Sequence, residues 1–208
     1  MKKAVGPFLR NWAKNITFST TNVVYPKTVA DVVAAVTEHQ HVKTVGSRHS
    51  FNVIADTYDT DTSVLVSPCE HLNKVVDIDR KANTVTVEAG ITYGDLCPIL
   101  ESNNLALENL ASLPHISVAG SVATATHGSG LNNTNLSDAV VGIELVTASG
   151  EVVNYDLSSN MDVTNPLNGA VVSYGALGVV TKLKLRVVPS FQCRQVVFHN
   201  ISGAEVSF

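Results

Sequence analysis

Thr28-Val29-Ala30-Asp31, set between short apolar runs, constrains the fold of this chain more than any other stretch. Val23-Val24-Tyr25 is a β-type run that Pro26 stops. Thr28 with Asp31 three residues on reads as a helix N-cap with a carboxylate at N3. Val29, Val32, Val33 and Val36 then fall on one helical face. Lys43–Val45 and Ser63–Val66 are the next strand candidates. Strand, helix and strand in this order predict a parallel pair with a right-handed crossover. The chain leaving Val45 therefore emerges at the carboxyl end of a strand, where open α/β sheets bind ligands.

From Lys74 the pattern becomes antiparallel. Lys74–Ile78 and Thr84–Glu88 are β-rich and joined by the polar Asp79-Arg80-Lys81-Ala82-Asn83, which predicts a hairpin. Thr92 with Asp95 starts a second helix carrying Leu96, Ile99 and Leu100 on one side, and Pro98 within it predicts a kink. Val140–Thr147, the turn Ala148-Ser149-Gly150 and Val152–Tyr155 form a second hairpin. Val179–Val188 is a last strand that Pro189 stops. The expected class is α+β, with a small βαβ lobe at about residues 11–67 and a larger, mainly antiparallel lobe at about 73–188. Phe191–Phe208 reads as the opening of something further.

Composition excludes several function classes. With 45% hydrophobic and 15% charged residues and a mean hydropathy of +0.17, the 208-residue chain buries a real core and is not a disordered one. A net charge of −4 provides no basic field for nucleic acid. Cys69, Cys97 and Cys193 cannot all pair within one chain and show no C-x-x-C spacing, so a reducing compartment is expected rather than a disulfide framework. No apolar run reaches the roughly 18 residues of a membrane span. Met1-Lys2-Lys3 is followed by Ala4–Leu9, too short for a signal h-region and broken by Gly6 and Pro7. The expectation is a cytoplasmic protein with no metal, nucleic-acid or membrane partner. His39, His41, His71 and His199 share no metal-ligand spacing and read as surface residues.

Two segments carry candidate chemistry. Gly46-Ser47-Arg48-His49-Ser50 follows the strand ending at Val45, and its turn can aim backbone N–H groups at an anion with a histidine beside it. Ala111–Gly130 reads A-S-L-P-H-I-S-V-A-G-S-V-A-T-A-T-H-G-S-G, small and hydroxylic with no carboxylate or lysine. Many donors on little bulk suit a flat, polyhydroxylated, phosphorylated ligand such as a dinucleotide. A small-residue helix packed on a sheet explains the same composition, and on the residues alone the two readings are equal. The Rossmann and P-loop fingerprints are both absent.

V-G-S-R-H-S-F-N-V-I-A-D, the serine–glycine segment and G-A-L-G-V-V-T at Gly175–Thr181 resemble the FAD-binding module of the vanillyl-alcohol oxidase flavoprotein family. Asn11-Trp12-Ala13-Lys14-Asn15 resembles an N-terminal N-W-x-x-N of the same oxidases. Within the family the resemblance is nearest to alditol (xylitol, sorbitol) oxidases, with sugar-lactone oxidases such as L-gulonolactone oxidase next. It implies a PCMH-type FAD-binding domain over residues 11–188, with FAD between its two lobes. Residues 189–208 would begin a substrate domain.

The resemblance also implies residue roles. His49 matches the histidine bonded covalently to the flavin 8α-methyl. Thr44, Val45, Gly46, Ser47, Arg48, His49 and Ser50 match the loop around the pyrophosphate and ribityl chain. Ser112, Ser117, Gly120, Thr124, Ala125, Thr126 and His127 match flavin-lining positions, with Ser112 nearest the reactive edge and so the catalytic candidate. Val180 matches the position that holds the adenine. Arg48 replaces a glycine common at its place in relatives, with a pyrophosphate contact as one consequence and a solvent-facing side chain as the other. His127 is the better flavin contact and His115 is read as packing. A Cβ at Gly120 or Gly128 is expected to strike FAD. The implied activity is oxidation of an alditol CH–OH group with oxygen as acceptor, giving an aldose or ketose and hydrogen peroxide, by a monomer. A sugar-1,4-lactone oxidase or dehydrogenase is the first alternative, and an inactive FAD-binding remnant the second.

Overall fold

The computed structural model describes residues 8–58, 61–157 and 164–200. The expectations placed on residues 1–7 and 201–208 lie outside that range. Strand β1 (Val23–Val24) leads into helix α1 (Val29–Glu38), whose N-cap Thr28 and Asp31 form the expected reciprocal capping box. The helix buries Val32, Ala35 and Val36, close to the face read from the sequence. His39 ends the helix as its C-cap, half-exposed, with its Nδ1 2.8 Å from the Ala35 carbonyl.

Strands β2 (His41–Thr44) and β3 (Ser63–Val66) complete a three-stranded parallel sheet in the order β1-β3-β2. The strands flanking the helix are thus not each other's partners. Ser63–Val66 is buried at every position, and such a run belongs at the centre, where both edges are hydrogen-bonded.

In the larger lobe, β4 (Val75–Asp79) and β5 (Thr84–Glu88) form the first hairpin. Helix α2 (Tyr93–Ser102) is capped by Thr92 and runs on past Pro98. Leu96 and Leu100 are buried, but Ile99 faces solvent, one residue off the expected stripe. Strand β6 (Leu105–Ala106), helix α3 (Val118–Ala123), β7 (Val140–Val146), β8 (Val152–Asp156), helix α4 (Pro166–Val171) and β9 (Val179–Arg186) follow. The five-stranded antiparallel sheet has the order β4-β5-β9-β7-β8. Strand β10 (Val188–Pro189) pairs with β6, and the Ser190 N–H donates to the Asn104 carbonyl at 3.0 Å. Pro189 therefore extends the lobe by a short edge pairing rather than ending it.

The lobes share a core. Val146 at the end of β7 and Val179 at the start of β9 pack with Val32, Val36, Val64 and Val66 of the small lobe. The larger core gathers Val85, Ile91, Leu96, Leu100, Leu167 and Leu183.

Candidate functional site

Val45 is buried and its N–H donates to the Val66 carbonyl at 3.0 Å, so the parallel pairing persists to the start of the histidine loop. The loop is held by the N-terminal segment. Asn11, 3% exposed, donates to the Ser50 carbonyl at 3.1 Å and to Asn15 at 2.8 Å, while its own carbonyl oxygen accepts from the Ile16 N–H. The Trp12 N–H donates to the Arg48 carbonyl at 2.8 Å. Arg48 lies at φ +65°, in the left-handed region. That backbone is why glycine suits this position, and arginine here is held under strain.

Three rings meet at the loop. Trp12 stacks on His49 with centroids 5.0 Å apart, and His115 lies 4.5 Å from His49 and 6.0 Å from Trp12. Burial, followed by the neighbouring His115, pulls the His49 pKa below 6.5, so the neutral imidazole is favoured. Its Nε2 is buried with no hydrogen-bond partner, and so is the Ser50 hydroxyl. The two histidines of the second segment have different surroundings. His115 faces His49, whereas His127 Nδ1 lies 2.9 Å from the Gly128 carbonyl. Histidine pairing across distant segments leaves no sequence periodicity.

Ser117 joins the second segment to the first. Its N–H donates to Ser47 Oγ at 3.0 Å, and the Ser47 N–H donates back to Ser117 Oγ at 3.4 Å. A Cβ on Gly46 would collide with that same Ser117 oxygen, and one on Gly120 would lie 2.7 Å from it. At Gly128 an added Cβ would strike the Asn109 amide and the Leu110 carbonyl. At Gly120 and Gly128 the protein atoms that an added Cβ would meet are thus the Ser117 hydroxyl and the Asn109–Leu110 pair. Cys69, which no sequence motif singled out, sits by Ser117 and Arg48. Burial is the main effect on its thiol and pushes the pKa up.

Helix α3 realises the helical reading of the small-residue segment over Val118–Ala123. It ends in a Schellman motif: the Thr126 N–H donates to the Ser121 carbonyl at 2.9 Å and the Ala125 N–H to the Val122 carbonyl at 3.2 Å. Ala125 occupies the left-handed position at φ +53°. Thr124 Oγ1 bonds back to the Gly120 carbonyl at 3.1 Å and lies 3.3 Å from Thr126 Oγ1. The Tyr174 N–H donates to the Ala123 carbonyl at 3.1 Å, tying the Gly175–Gly178 loop to this helix end. On the other side of α3, Ser121 pairs with Tyr93, whose phenol burial pushes up to about 12.

The structure thus brings Thr44–Ser50, Ser117, Gly120 and His115 together and sets Thr124–His127 at the end of the same short helix. Ser112 is exposed on the loop before His115, with no hydrogen bond to its hydroxyl among the described residues. Val180 lies in β9 opposite Leu145. A cavity of about 220 Å³ lies elsewhere, between α3 and the Asn132–Asp138 segment. Among the described residues, no group of three His, Cys, Asp or Glu is placed to hold a metal, and no helix is long and apolar enough to cross a membrane.

The donor set fits a flavin dinucleotide. The N–H groups of Arg48, His49 and Ser50 have no partner among the described residues, and neither does the Arg48 guanidinium. With the orphaned Ser50 hydroxyl they form a donor-rich turn at the end of a parallel strand, the setting for a phosphate. The orphaned His49 Nε2 and the adjoining rings give a flat, apolar aromatic neighbour.

Comparison with known proteins agrees. The FAD binding domain profile matches residues 20–156. An alditol oxidase from Streptomyces sp. is 41% identical over 189 residues, covering 90% of this chain and 44% of the relative. An L-gulono-1,4-lactone dehydrogenase from Mycobacterium tuberculosis is 38% identical, with coverage of 90% and 42%. The L-gulonolactone oxidase of Mus musculus is 34% identical, with coverage of 93% and 43%. The chain spans less than half the length of these relatives. The crystal structure of cholesterol oxidase from B. sterolicum superposes with a TM-score of 0.74 at 21% identity, over 88% of this chain and 37% of that one, so the PCMH-type fold is shared. With an ordered match through the parallel lobe, the histidine loop, the small-residue helix and the second hairpin, the chain belongs to the FAD binding domain family of the vanillyl-alcohol oxidase flavoproteins.

Proposed function

We propose that this chain is the flavin-binding half of an FAD-dependent oxidase acting on CH–OH groups of alditols, with oxygen as acceptor and with FAD linked covalently through His49. The observation that carries the flavin part is the His49 imidazole. It is kept neutral by burial, its Nε2 has no protein partner, and it is fixed by Trp12, His115 and the strained turn at Arg48. A neutral imidazole nitrogen is a competent nucleophile and ligand.

The chemistry that FAD would supply here is hydride acceptance from the substrate carbon, with oxygen as the electron acceptor. The chain's residues hold and orient the cofactor. The turn N–H groups and the Ser50 hydroxyl would donate hydrogen bonds to the diphosphate, and Gly46, Ser117 and Gly120 set the close approach of the two segments. The exposed Ser112 hydroxyl lies free to meet a substrate hydroxyl. Ala111–Gly130 contains no carboxylate or lysine to take the proton from the substrate hydroxyl. That base would come from residues of the other half of the protein.

The comparable likeness to lactone-oxidising relatives favours a second reading, a sugar-1,4-lactone oxidase or dehydrogenase. The visible spectrum of the purified protein, before and after acid precipitation, tests the flavin part. Yellow colour retained by the pellet, and lost from it in His49→Ala, supports the tether, and colour released from the wild type refutes it. Peroxide release by the natural protein with a panel of alditols and sugar lactones tests the substrate part, and turnover of lactones alone would overturn the alditol reading.

A further inference from the structure

Trp12, His49 and His115 come from three segments of the chain and meet as one cluster of rings. The His49 and His115 centroids lie 4.5 Å apart with their planes tilted by 45°, and Trp12 stacks on both. The contact is pinned from two sides. The Trp12 N–H donates to the carbonyl of Arg48, next to His49, and Ser47 and Ser117, each two residues from one of the histidines, exchange hydrogen bonds. His115 itself is exposed and forms no side-chain hydrogen bond among the described residues, so its ring contact with His49 is not a by-product of core packing. The two segments that meet here, residues 44–50 and 111–130, carry no carboxylate and no lysine. Beside His49 their basic side chains able to take up a proton near neutral pH are His115 and His127, and His127 lies beyond the end of α3, against the Gly128 carbonyl.

We propose that His115 is a positioning residue for the covalent attachment of flavin to His49, accepting the proton that the His49 imidazole gives up as its bond to the cofactor forms. The proposal rests on the His49 tether proposed above and adds a second residue to it. Attachment replaces one C–H bond of the flavin 8α-methyl by a C–N bond to His49. The attacking nitrogen uses its lone pair, so the ring's proton stands on the other nitrogen and must leave for the imidazole to end neutral. The methyl carbon gives up its hydrogen as a second proton and leaves two electrons on the flavin. Oxygen takes up those two electrons and the two protons as hydrogen peroxide. An imidazole takes up a proton near neutral pH, and an exposed one can return it to solvent. Trp12, stacked on both rings, keeps donor and acceptor in contact.

The test mixes the FAD-free natural protein with FAD in air and follows binding and attachment separately. Quenching of flavin fluorescence reads FAD bound, and the yellow colour kept by acid-precipitated protein at successive times reads FAD attached. His115→Phe keeps an aromatic ring beside Trp12 and His49 but removes the base. It is expected to bind FAD as the wild type does and to attach it about a hundredfold more slowly, the lower end of what a positioned base contributes. His115→Ala should show the same delay. Added imidazole should shorten that delay, whereas pyrazole, a ring of the same shape but a far weaker base, should not. Attachment at the wild-type rate in His115→Phe would overturn the proposal. So would equal loss of binding and attachment, or rescue by pyrazole as well as by imidazole, since each reduces His115 to a filler of space. A wild type that binds FAD but never attaches it refutes the tether at His49 and this proposal with it. A wild type that binds no FAD sinks the flavin reading itself.

Discussion

Ser47 and Ser117, 70 residues apart in sequence, exchange hydrogen bonds: the Ser117 N–H reaches Ser47 Oγ at 3.0 Å and the Ser47 N–H reaches Ser117 Oγ at 3.4 Å. Each hydroxyl accepts a backbone donor of the other segment, so the histidine loop and the start of α3 are held in one register. The bonds are unequal, and so are the expected effects of removing them. Ser47→Ala leaves the N–H of Ser117, itself 2% exposed, without an acceptor. That should cost about 1–3 kcal/mol. Ser117→Ala removes the longer bond and the hydroxyl beside the Cys69 thiol, and should cost less than about 1 kcal/mol. Urea midpoints of the two variants check the order, and a larger loss in Ser117→Ala would contradict it.

A second prediction concerns acid. The folded state holds the His49 pKa below 6.5, by burial first and by His115 second. The unfolded chain therefore takes up the proton at higher pH than the folded one. Stability is fully present above about pH 6.5 and falls as the pH drops below it. His49→Gln should flatten that limb of the ligand-free stability profile. His115→Phe keeps an aromatic ring but removes the second cause, so the His49 titration followed by NMR should move up while staying below 6.5. An unchanged His49 titration in His115→Phe would refute the coupling.

The parallel lobe was legible because its signals are local: a Thr28–Asp31 capping box, a valine stripe and a strand ending at Val45. Both hairpins were legible for the same reason. Strand order was not, since what places β3 between β1 and β2 is burial on both faces, which pairwise periodicity does not encode. Helix α4 is not legible, although Asn165 and Pro166 are a proper N-cap and N1 pair, because only six residues follow the cap. At the site, residue types pointed to the two segments and the family resemblance to their roles. The ring contact of His115 with His49 and the place of Cys69 arise from tertiary packing and left no mark in the spacing.

Ala125 gives a prediction with the sign of a stabilisation. It stands at the left-handed position of the Schellman motif after α3, at φ +53°, where glycine carries no Cβ penalty. Ala125→Gly should stabilise the ligand-free protein by up to about 1–2 kcal/mol, less what glycine adds to unfolded-chain entropy. A thermal melt measures it directly. A lower melting temperature would show that the alanine methyl contributes packing that outweighs the strain.

The glycines of the second segment separate a fold requirement from a ligand requirement. A Cβ at Gly128 meets the Asn109 side chain and the Leu110 carbonyl, and a backbone oxygen cannot rotate away. Gly128→Ala should therefore destabilise the protein by about 1–3 kcal/mol, whether or not FAD is present. At Gly120 the Cβ meets only the Ser117 hydroxyl, at 2.7 Å, and that oxygen can turn aside, though it would then surrender the Ser47 N–H. Gly120→Ala should leave the ligand-free melting temperature within a few degrees of wild type. Its defect should appear instead as reduced flavin content, read from the ratio of visible to ultraviolet absorbance. Full flavin content in a stable Gly120→Ala would assign that glycine to packing alone. A Gly128→Ala protein as stable as wild type but empty of flavin would assign Gly128 to the cofactor.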